Sequence, residues 1–297
     1  YDTDEDGEIE LSGGTAGSRA VTLDINTSTV SCKAFSITTT TTDCLALCKI
    51  RNGGSLTIEG NLVLATGALD DTKIKLDASI GTGNTLNLGG TIIGISTSDG
   101  VIDMGSSAGV STFNFNGSSA QTIQFDDPSD LIYSDIQISN AAGVTLLSAL
   151  ASADFTGDLT ISAGGVFNDG AFSNVFVGDL TNAGTYNASG SIDLSGDFTN
   201  SGTFTSSGCN INLEGDWNNT GGAYTYSSGD NFTFDGTGLS FITGATDWYE
   251  LTADNPVGVL VSSGAQSIHG ILDLEQGSFN SGGLVTLISD GTSTGQM

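Results

Sequence analysis

Apolar and polar residues alternate along short stretches of the chain, and Gly, Asn or Asp follows most of these stretches. Residues 191–195 (SIDLS) and 210–214 (NINLE) are two examples. A period of two places alternate side chains on opposite faces of a β-strand, one face inside and the other in water. Gly and Asn accept the positive φ that tight turns require. The pattern therefore predicts an all-β protein built from many short strands.

The strand pattern recurs at a nearly constant interval. Gly-Asp pairs begin at Gly178, Gly196 and Gly215, which are 18 and 19 residues apart, and Gly157 begins a related unit 21 residues before Gly178. Apolar residues repeat with the same step in four columns: Leu180, Phe198 and Trp217; Tyr186, Phe204 and Tyr224; Ile192, Ile211 and Phe232; Leu194, Leu213 and Phe234.

A unit of this length cannot bury its apolar side alone. Stacked units do so, because like side chains then lie above one another at a strand spacing of about 4.8 Å. The repeat predicts a parallel β-helix (β-solenoid), expected to be right-handed, with coils of 18–21 residues. An antiparallel sandwich is the alternative, although its hairpins would not naturally keep one constant offset.

A longer repeat is superimposed on the short one. Residues 113–117 resemble 232–236 after a shift of 119, and residues 140–146 resemble 255–261 after a shift of 115. Two further pairs of similar segments follow in the same order. We therefore divide the chain into an acidic, Gly-rich lead-in (1–19) and a β-helix over 20–297, which we expect to be a segment of a longer chain.

The charge is strongly one-sided, with 34 acidic residues, 6 basic residues and a formal net charge of −28. All the basic residues lie at or before Lys75: Arg19, Lys33, Lys49, Arg51, Lys73 and Lys75. Nucleic acids and anionic membranes need Lys or Arg to neutralise phosphate, so neither is an expected partner. No stretch has the 18 or so apolar residues that span a bilayer. Such a surface suits divalent cations instead.

Two sets of aspartates are candidate Ca²⁺ ligands. Asp2, Asp4 and Asp6 before Gly7 match the first half of a calcium loop, but position 12 is Gly13, so further ligands would be needed. The other set follows the repeat glycines, and stacking would bring its members together as a column of like charges: Asp179, Asp197 and Asp216. Ca²⁺ is the one cofactor these positions suggest. The alternative is that the carboxylates are solvated and screened by salt.

Three of the four cysteines are close in sequence: Cys32, Cys44 and Cys48. Their spacing lacks the two-residue gap of a zinc knuckle, and the single His, His269, is far away. A disulfide among these three is therefore the prediction. Cys209 would remain unpaired or buried as a small apolar residue.

Catalysis is not expected, because no pair of side chains forms a convincing site. Asp126 with Asp127, or Asp247 with Glu250, could supply two carboxylates for a hydrolase. Asp126 and Asp127 are adjacent, however, and adjacent residues of a strand point to opposite faces. His269 is followed by Gly270, as in some β-helical hydrolases, but the accompanying Arg and Lys are missing. Sugar binding without catalysis is the stronger rival, because Trp248 and Tyr249 break the alternation and one ring of a regular strand would face outward.

The order of these motifs resembles a family of very large, repetitive, secreted surface proteins of gliding, Bacteroidota-type bacteria. The similarity lies in Asn-x-x-Gly-Val, Gly-x-Leu, Gly-x-Phe-Asn and Leu-x-Leu-Ile-Ser segments within residues 113–297. The resemblance implies export to the cell surface and an adhesive or filamentous role. The C-terminal sorting domain usual in that family is absent from this sequence.

These observations favour a non-enzymatic structural or adhesive module of an extracellular or cell-surface protein. Its expected partners are other copies of itself, neighbouring surface proteins and glycans. A carbohydrate-binding or carbohydrate-degrading β-helix is the alternative.

Overall fold

The computed structural model describes residues 7–13, 20–39, 45–66, 74–93, 101–105, 109–123, 131–151, 155 and 157–288. These residues form β-strands joined by turns and include no helix. Strand pairings among them are all parallel. Within each of two compact units, every strand pairs with the strand three places away in the chain. The protein is thus a β-solenoid with three strands per coil, as predicted.

Unit 1 comprises Tyr1–Leu147 and Ala153–Gly157. Its strands stack as β1-β4-β7-β10, β2-β5-β8-β11-β14, β3-β6-β9-β12-β15 and β13-β16. Their bounds are β1 Glu8–Gly13, β2 Ala20–Asn26, β3 Thr29–Cys32, β4 Ala34–Thr39, β5 Leu45–Arg51, β6 Ser55–Ile58, β7 Leu62–Thr66, β8 Ile74–Ile80, β9 Asn84–Leu88, β10 Ile92–Ile93, β11 Val101–Asp103, β12 Ser111–Phe115, β13 Gln121–Ile123, β14 Leu131–Ile132, β15 Asp135–Ile138 and β16 Val144–Leu146.

Unit 2 comprises Ser148–Ser152 and Asp158–Met297. Its strands form stack 1 (β17-β20-β23-β26-β29-β32-β35), stack 2 (β18-β21-β24-β27), stack 3 (β19-β22-β25-β28-β31-β34) and stack 4 (β30-β33-β36). Their bounds are β17 Leu159–Ile161, β18 Val166–Asn168, β19 Asn174–Phe176, β20 Leu180–Asn182, β21 Thr185–Ala188, β22 Ile192–Leu194, β23 Phe198–Asn200, β24 Thr203–Ser206, β25 Asn210–Leu213, β26 Trp217–Asn218, β27 Ala223–Thr225, β28 Asn231–Phe234, β29 Ser240–Thr243, β30 Thr246–Trp248, β31 Glu250–Asp254, β32 Val259–Val261, β33 Gln266–Ile268, β34 Leu272–Gln276, β35 Phe279–Asn280 and β36 Val285–Leu287.

The apolar columns predicted from the repeat are pairing registers of unit 2. Leu180 pairs with Phe198, and Phe198 pairs with Trp217. The other three predicted columns pair in the same way along stacks 2 and 3. All of these side chains are buried except Tyr224, which is half-buried. Each apolar side chain therefore covers its equivalent in the neighbouring coil, which is how a short repeat acquires a core.

Aromatic rings continue through the interior of unit 2. The ring centroids of Tyr186 and Phe204 are 5.2 Å apart, as are those of Phe204 and Tyr224. Trp217 lies 4.9 Å from Phe198 and 5.4 Å from Trp248. These distances are in the range of favourable aromatic pairs, so the rings add specific contacts to the burial of apolar area.

The solenoid begins earlier than the sequence suggested. β1 lies within the predicted lead-in, yet it pairs in parallel with β4 over six residues, from Glu8 with Ala34 to Gly13 with Thr39. Ile9 and Leu11 alternate with Glu8 and Glu10, and both apolar side chains are buried. The alternation was hidden by the density of acidic residues around it. The predicted Ca²⁺ ligands Asp2, Asp4 and Asp6 lie outside the described residues.

Candidate functional site

The aspartates that follow the repeat glycines form a hydrogen-bonded ladder. Oδ1 of Asp158 accepts the backbone N–H of Asp179 at 2.9 Å, and Oδ1 of Asp179 accepts that of Asp197 at 2.9 Å. Oδ1 of Asp197 accepts the N–H of Asp216 at 2.8 Å, and Oδ1 of Asp216 accepts that of Phe241 at 2.9 Å. Each carboxylate thus meets a positive backbone dipole of the next coil. This donor offsets the repulsion expected between stacked like charges.

The glycine before each aspartate is required by the closeness of the coils. A Cβ at position 196 would lie against the carbonyl oxygen of Gly178 and 2.5 Å from Oδ1 of Asp179. A Cβ at position 215 would make the same contacts with Gly196 and Asp197. The Gly-Asp pair is therefore one structural unit, in which glycine permits the approach and aspartate accepts the hydrogen bond.

The predicted Ca²⁺ column is thus in place as a row of stacked side chains. Burial raises the pKa of Asp216, and the neighbouring Asp197 carboxylate raises it further, against the opposing hydrogen bond from Phe241. Among the described residues, no group of three or more His, Cys, Asp or Glu side chains is arranged to hold a metal ion. Ca²⁺ binding by Asp179, Asp197 and Asp216 therefore remains a prediction.

A second ladder is buried and consists of asparagines. Nδ2 of Asn182 donates to Oδ1 of Asn200 at 2.9 Å, and Nδ2 of Asn200 donates to Oδ1 of Asn219 at 2.7 Å. Each amide also donates to a backbone carbonyl of a later coil, that of Thr203, Ala223 or Ala245. These stacked amides were expected from the spacing, and they satisfy one another inside the core.

The longer repeat reappears as two equivalent corners. Asn140 is fully buried, and its Nδ2 donates to the carbonyl of Ser119 at 2.7 Å and to Oε1 of Gln121 at 2.8 Å. Asn255 is also fully buried, and its Nδ2 donates to the carbonyl of Gly238 at 2.7 Å and to Oγ of Ser240 at 3.0 Å.

The partners of these two asparagines correspond as well. Ser119 and Gln121 are related to Gly238 and Ser240 by the shift of 119, while the asparagines themselves are related by 115. Oδ1 of each asparagine accepts the N–H two residues later, from Ala142 or Val257. The repeat in the sequence is therefore a repeat of a buried hydrogen-bonded corner.

The two candidate sugar-stacking residues have different surroundings. Trp248 is fully buried, and its Nε1 donates to Oε1 of Gln266 at 2.9 Å, so its ring offers no face to a sugar. Tyr249 is half-buried. Its neighbour Tyr226 lies 6.2 Å away between ring centroids, and His269 lies 5.6 Å from Tyr226. We call Tyr226, Tyr249 and His269 the aromatic corner; Tyr249 keeps its predicted role there.

The carboxylate pairs considered for hydrolysis receive different placements. Asp247 is exposed on β30 and Glu250 is half-buried on β31. Glu250 lines a surface hollow of about 250 Å³, which we call the acidic hollow, on the outer side of β28, β31 and β34: Asn231, Thr233, Glu250, Thr252, Asp254, Ile271, Asp273 and Glu275. Asp126 and Asp127 lie outside the described residues.

The cysteines that the structure describes are buried, free thiols. Cys32, Cys48 and Cys209 all have this state, whereas Cys44 lies outside the described residues. Burial raises the pKa of Cys32 and of Cys209 to about 11, and it raises that of Cys48 above its usual range. Thiols in this state are protonated and unreactive near neutral pH. The disulfide among Cys32, Cys44 and Cys48 remains a prediction.

One buried polar cluster was not anticipated from the sequence. Asp230 accepts hydrogen bonds from the hydroxyl of Ser206 at 2.5 Å and from the backbone N–H groups of Cys209 and Ser227, both at 2.7 Å. Asp169 is fully buried, and its Oδ1 accepts the N–H of Ser189 at 2.8 Å. Both aspartates lie outside the Gly-Asp repeat, and only their position before a turn could have marked them as buried caps.

The same cluster contains two atoms that the described residues leave without a hydrogen-bond partner. These are Oδ2 of Asp169 and the hydroxyl of Tyr186, whose side chain is fully buried. Burial raises the pKa of Asp169 despite the N–H donors from the Ser189 turn. Burial and the nearby Asp169 charge raise the pKa of Tyr186 well above its usual value.

No protein-family model, curated protein or solved structure matches this chain. The described residues also include no helix that is long and apolar enough to cross a bilayer.

Proposed function

We propose that the chain is a non-enzymatic structural or adhesive module of a secreted, cell-surface protein or extracellular filament. The observation that carries the proposal is the pair of ladders formed by the Gly-Asp and Asn repeats. They commit one surface column and one core column of consecutive coils to contacts between coils. A chain selected to hold a shape would use its repeated positions in this way.

The charge supports an extracellular role in which the partners are not nucleic acids or anionic membranes. No Lys or Arg follows Lys75, so unit 2 carries no fixed positive charge. Such a surface repels phosphate and attracts divalent cations. Other copies of the chain, neighbouring surface proteins and glycans remain the proposed partners. Oδ2 of Asp197 makes no hydrogen bond with the described residues and could contribute to a Ca²⁺ site.

Electron microscopy of the isolated chain, with Ca²⁺ and with a chelator, tests this proposal. Fibres of uniform width, or particles of constant shape that survive prolonged incubation, would support a structural module. Loss of fibres on chelation, and in a variant with Asp179, Asp197 and Asp216 all changed to Asn, would place the cation at the ladder. Turnover of a polysaccharide by the purified chain would contradict the non-enzymatic assignment.

Glycan binding at the aromatic corner is the second candidate. Half-buried Tyr249 and its neighbours Tyr226 and His269 bring three rings together at one turn of successive coils. Rings of this kind stack on the apolar faces of sugars. Calorimetric titration with neutral oligosaccharides tests the candidate. The substitution Tyr249→Ala should abolish binding, whereas removal of the buried ring of Phe234 is not an informative control because it alters the core.

A further inference from the structure

The last described strand of each terminal stack leaves core positions uncovered. β34 and β36 end stacks 3 and 4. Leu274 follows Phe234 and Ala253 in the same inward column, and those two side chains are buried. Leu274 itself is 48% exposed, and Leu287 in the equivalent position of β36 is 37% exposed. Among the described residues, no strand covers the free edge of β34.

The outer side of the same edge is acidic. Asp273 and Glu275 lie on β34 and line the acidic hollow together with Glu250 and Asp254 of β31. Ile271, just before β34, is 41% exposed and lines the same hollow. The edge therefore offers an apolar inner side, an acidic outer side and a backbone with one free row of donors and acceptors.

We propose that β34 binds, by strand addition, an extended segment of another protein in which apolar and basic residues alternate. The main chain of the segment would continue stack 3 in parallel. Its apolar side chains would cover Leu272 and Leu274, and its Lys or Arg side chains would meet Asp273 and Glu275. Backbone pairing gives such complexes their affinity, and the alternating side chains give them specificity.

Charge selects a different protein over a second copy of this chain. Residues 1–33, which contain the first coil, include seven acidic and two basic residues, so their approach to β34 would be repulsive. The chain contains two alternating basic stretches, 48–51 (CKIR) and 73–76 (KIKL). The first lies in β5 and most of the second in β8, and each of these strands already pairs on both sides, β5 with β2 and β8, and β8 with β5 and β11.

This inference rests on the proposed structural or adhesive role and names its partner by chemistry. The test uses the full chain and a fluorescein-labelled, nine-residue peptide of alternating Val and Lys, followed by fluorescence anisotropy at physiological salt. Two peptide controls have the same length: one with the same composition in block order, and one with alternating Val and Glu. The variant Leu274→Asp places a charge at the inner side of the edge. Its matched control is Leu239→Asp, since Leu239 is 44% exposed before β29.

We expect the alternating basic peptide to bind the wild type and Leu239→Asp equally, and to bind Leu274→Asp at least about tenfold more weakly, because a leucine contact is lost and a charge is buried. Equal binding of the block-order peptide would overturn the proposal, since it would indicate attraction to net charge alone. Equal binding to Leu274→Asp would overturn it too. So would sedimentation of the wild type as oligomers and of Leu274→Asp as a monomer, because a second copy would then occupy the edge. These failures leave the electron-microscopy result unchanged and are thus distinguishable from failure of the structural role.

Discussion

The carboxylate of Asp197 accepts the backbone N–H of Asp216, one coil further along, at 2.8 Å. Asp197 in turn donates its own N–H to Asp179 at 2.9 Å. One residue type thus serves as donor through its main chain and as acceptor through its side chain. A column of like charges, which would otherwise weaken a parallel stack, becomes a continuous hydrogen-bonded feature of the surface.

Replacement of Asp197 separates its hydrogen bond from its charge. Asp197→Ala leaves the N–H of Asp216 without its acceptor, and we expect the free energy of unfolding to fall by about 1 kcal/mol. Asp197→Asn keeps the Oδ1 acceptor and removes one of the stacked charges, so it should be as stable as the wild type or more stable, most clearly at low ionic strength. Urea unfolding at low and high salt measures both effects.

The control for this pair is Asp247, an exposed carboxylate of β30 outside the ladder. Its substitution by Asn or Ala should change stability by less than about 0.5 kcal/mol. A loss in Asp197→Asn as large as that in Asp197→Ala would contradict the hydrogen-bond account. It would indicate that the negative charge itself is needed, as for a bound cation.

The glycine of the Gly-Asp unit can be tested in the same assay. Gly196→Ala places a Cβ 2.5 Å from Oδ1 of Asp179 and against the carbonyl of Gly178, so neighbouring coils must separate. We expect a loss of about 2–3 kcal/mol in the free energy of unfolding. Gly238→Ala is the control, because its Cβ would meet no atom within 4 Å. That change should be neutral or stabilise the protein slightly; equal losses at both positions would refute the close-approach argument.

The buried asparagine ladder should contribute more than the exposed one. Asn200→Ala removes the acceptor of Asn182 and the donor to the carbonyl of Ala223, and leaves both groups buried. We expect a loss of about 2–4 kcal/mol, because each unsatisfied buried group costs about 1–3 kcal/mol. The matched control is Asn187→Ala, which removes an exposed Asn–Asn hydrogen bond of 2.9 Å and should cost less than about 0.5 kcal/mol. Urea unfolding of the two variants decides between them.

The fold was predictable because a β-solenoid writes its register into its sequence. The step from Leu180 to Phe198 to Trp217 is the same in the sequence and in the pairing of β20, β23 and β26. The asparagine ladder followed from the same spacing. Only the beginning was misjudged, because Glu8 and Glu10 of β1 obscured the alternation of Ile9 and Leu11.

The candidate sites were harder to predict, because they depend on which face a residue presents and on residues distant in sequence. Trp248 and Tyr249 are adjacent, and the sequence could not say which ring lies inside; Gln266 settles it by accepting the indole N–H. The partners of Asp169 and Asp230 are 20 and 21 residues away from them, at Ser189 and Cys209. No short motif encodes such a cluster.

Asp169 should make stability depend on pH. Its carboxylate is fully buried and its pKa is raised, mainly by that burial. The folded state therefore holds the proton more tightly than the unfolded state. The resulting penalty is fully present above the folded pKa and is relieved as the pH falls through it, so the wild type gains stability on acidification from neutral pH towards the unfolded value near 3.8.

Asp169→Asn removes the titrating group while keeping an oxygen for the N–H of Ser189. We expect this variant to equal or exceed the wild type in stability at pH 7 and to lose the gain on acidification. Tyr186→Phe removes the other atom without a partner and should be neutral or slightly stabilising, since no described residue bonds that hydroxyl. Asp247→Asn controls for net charge. Thermal unfolding from pH 7 to pH 4 measures all four proteins, and an unchanged acidification gain in Asp169→Asn would show that another group is responsible.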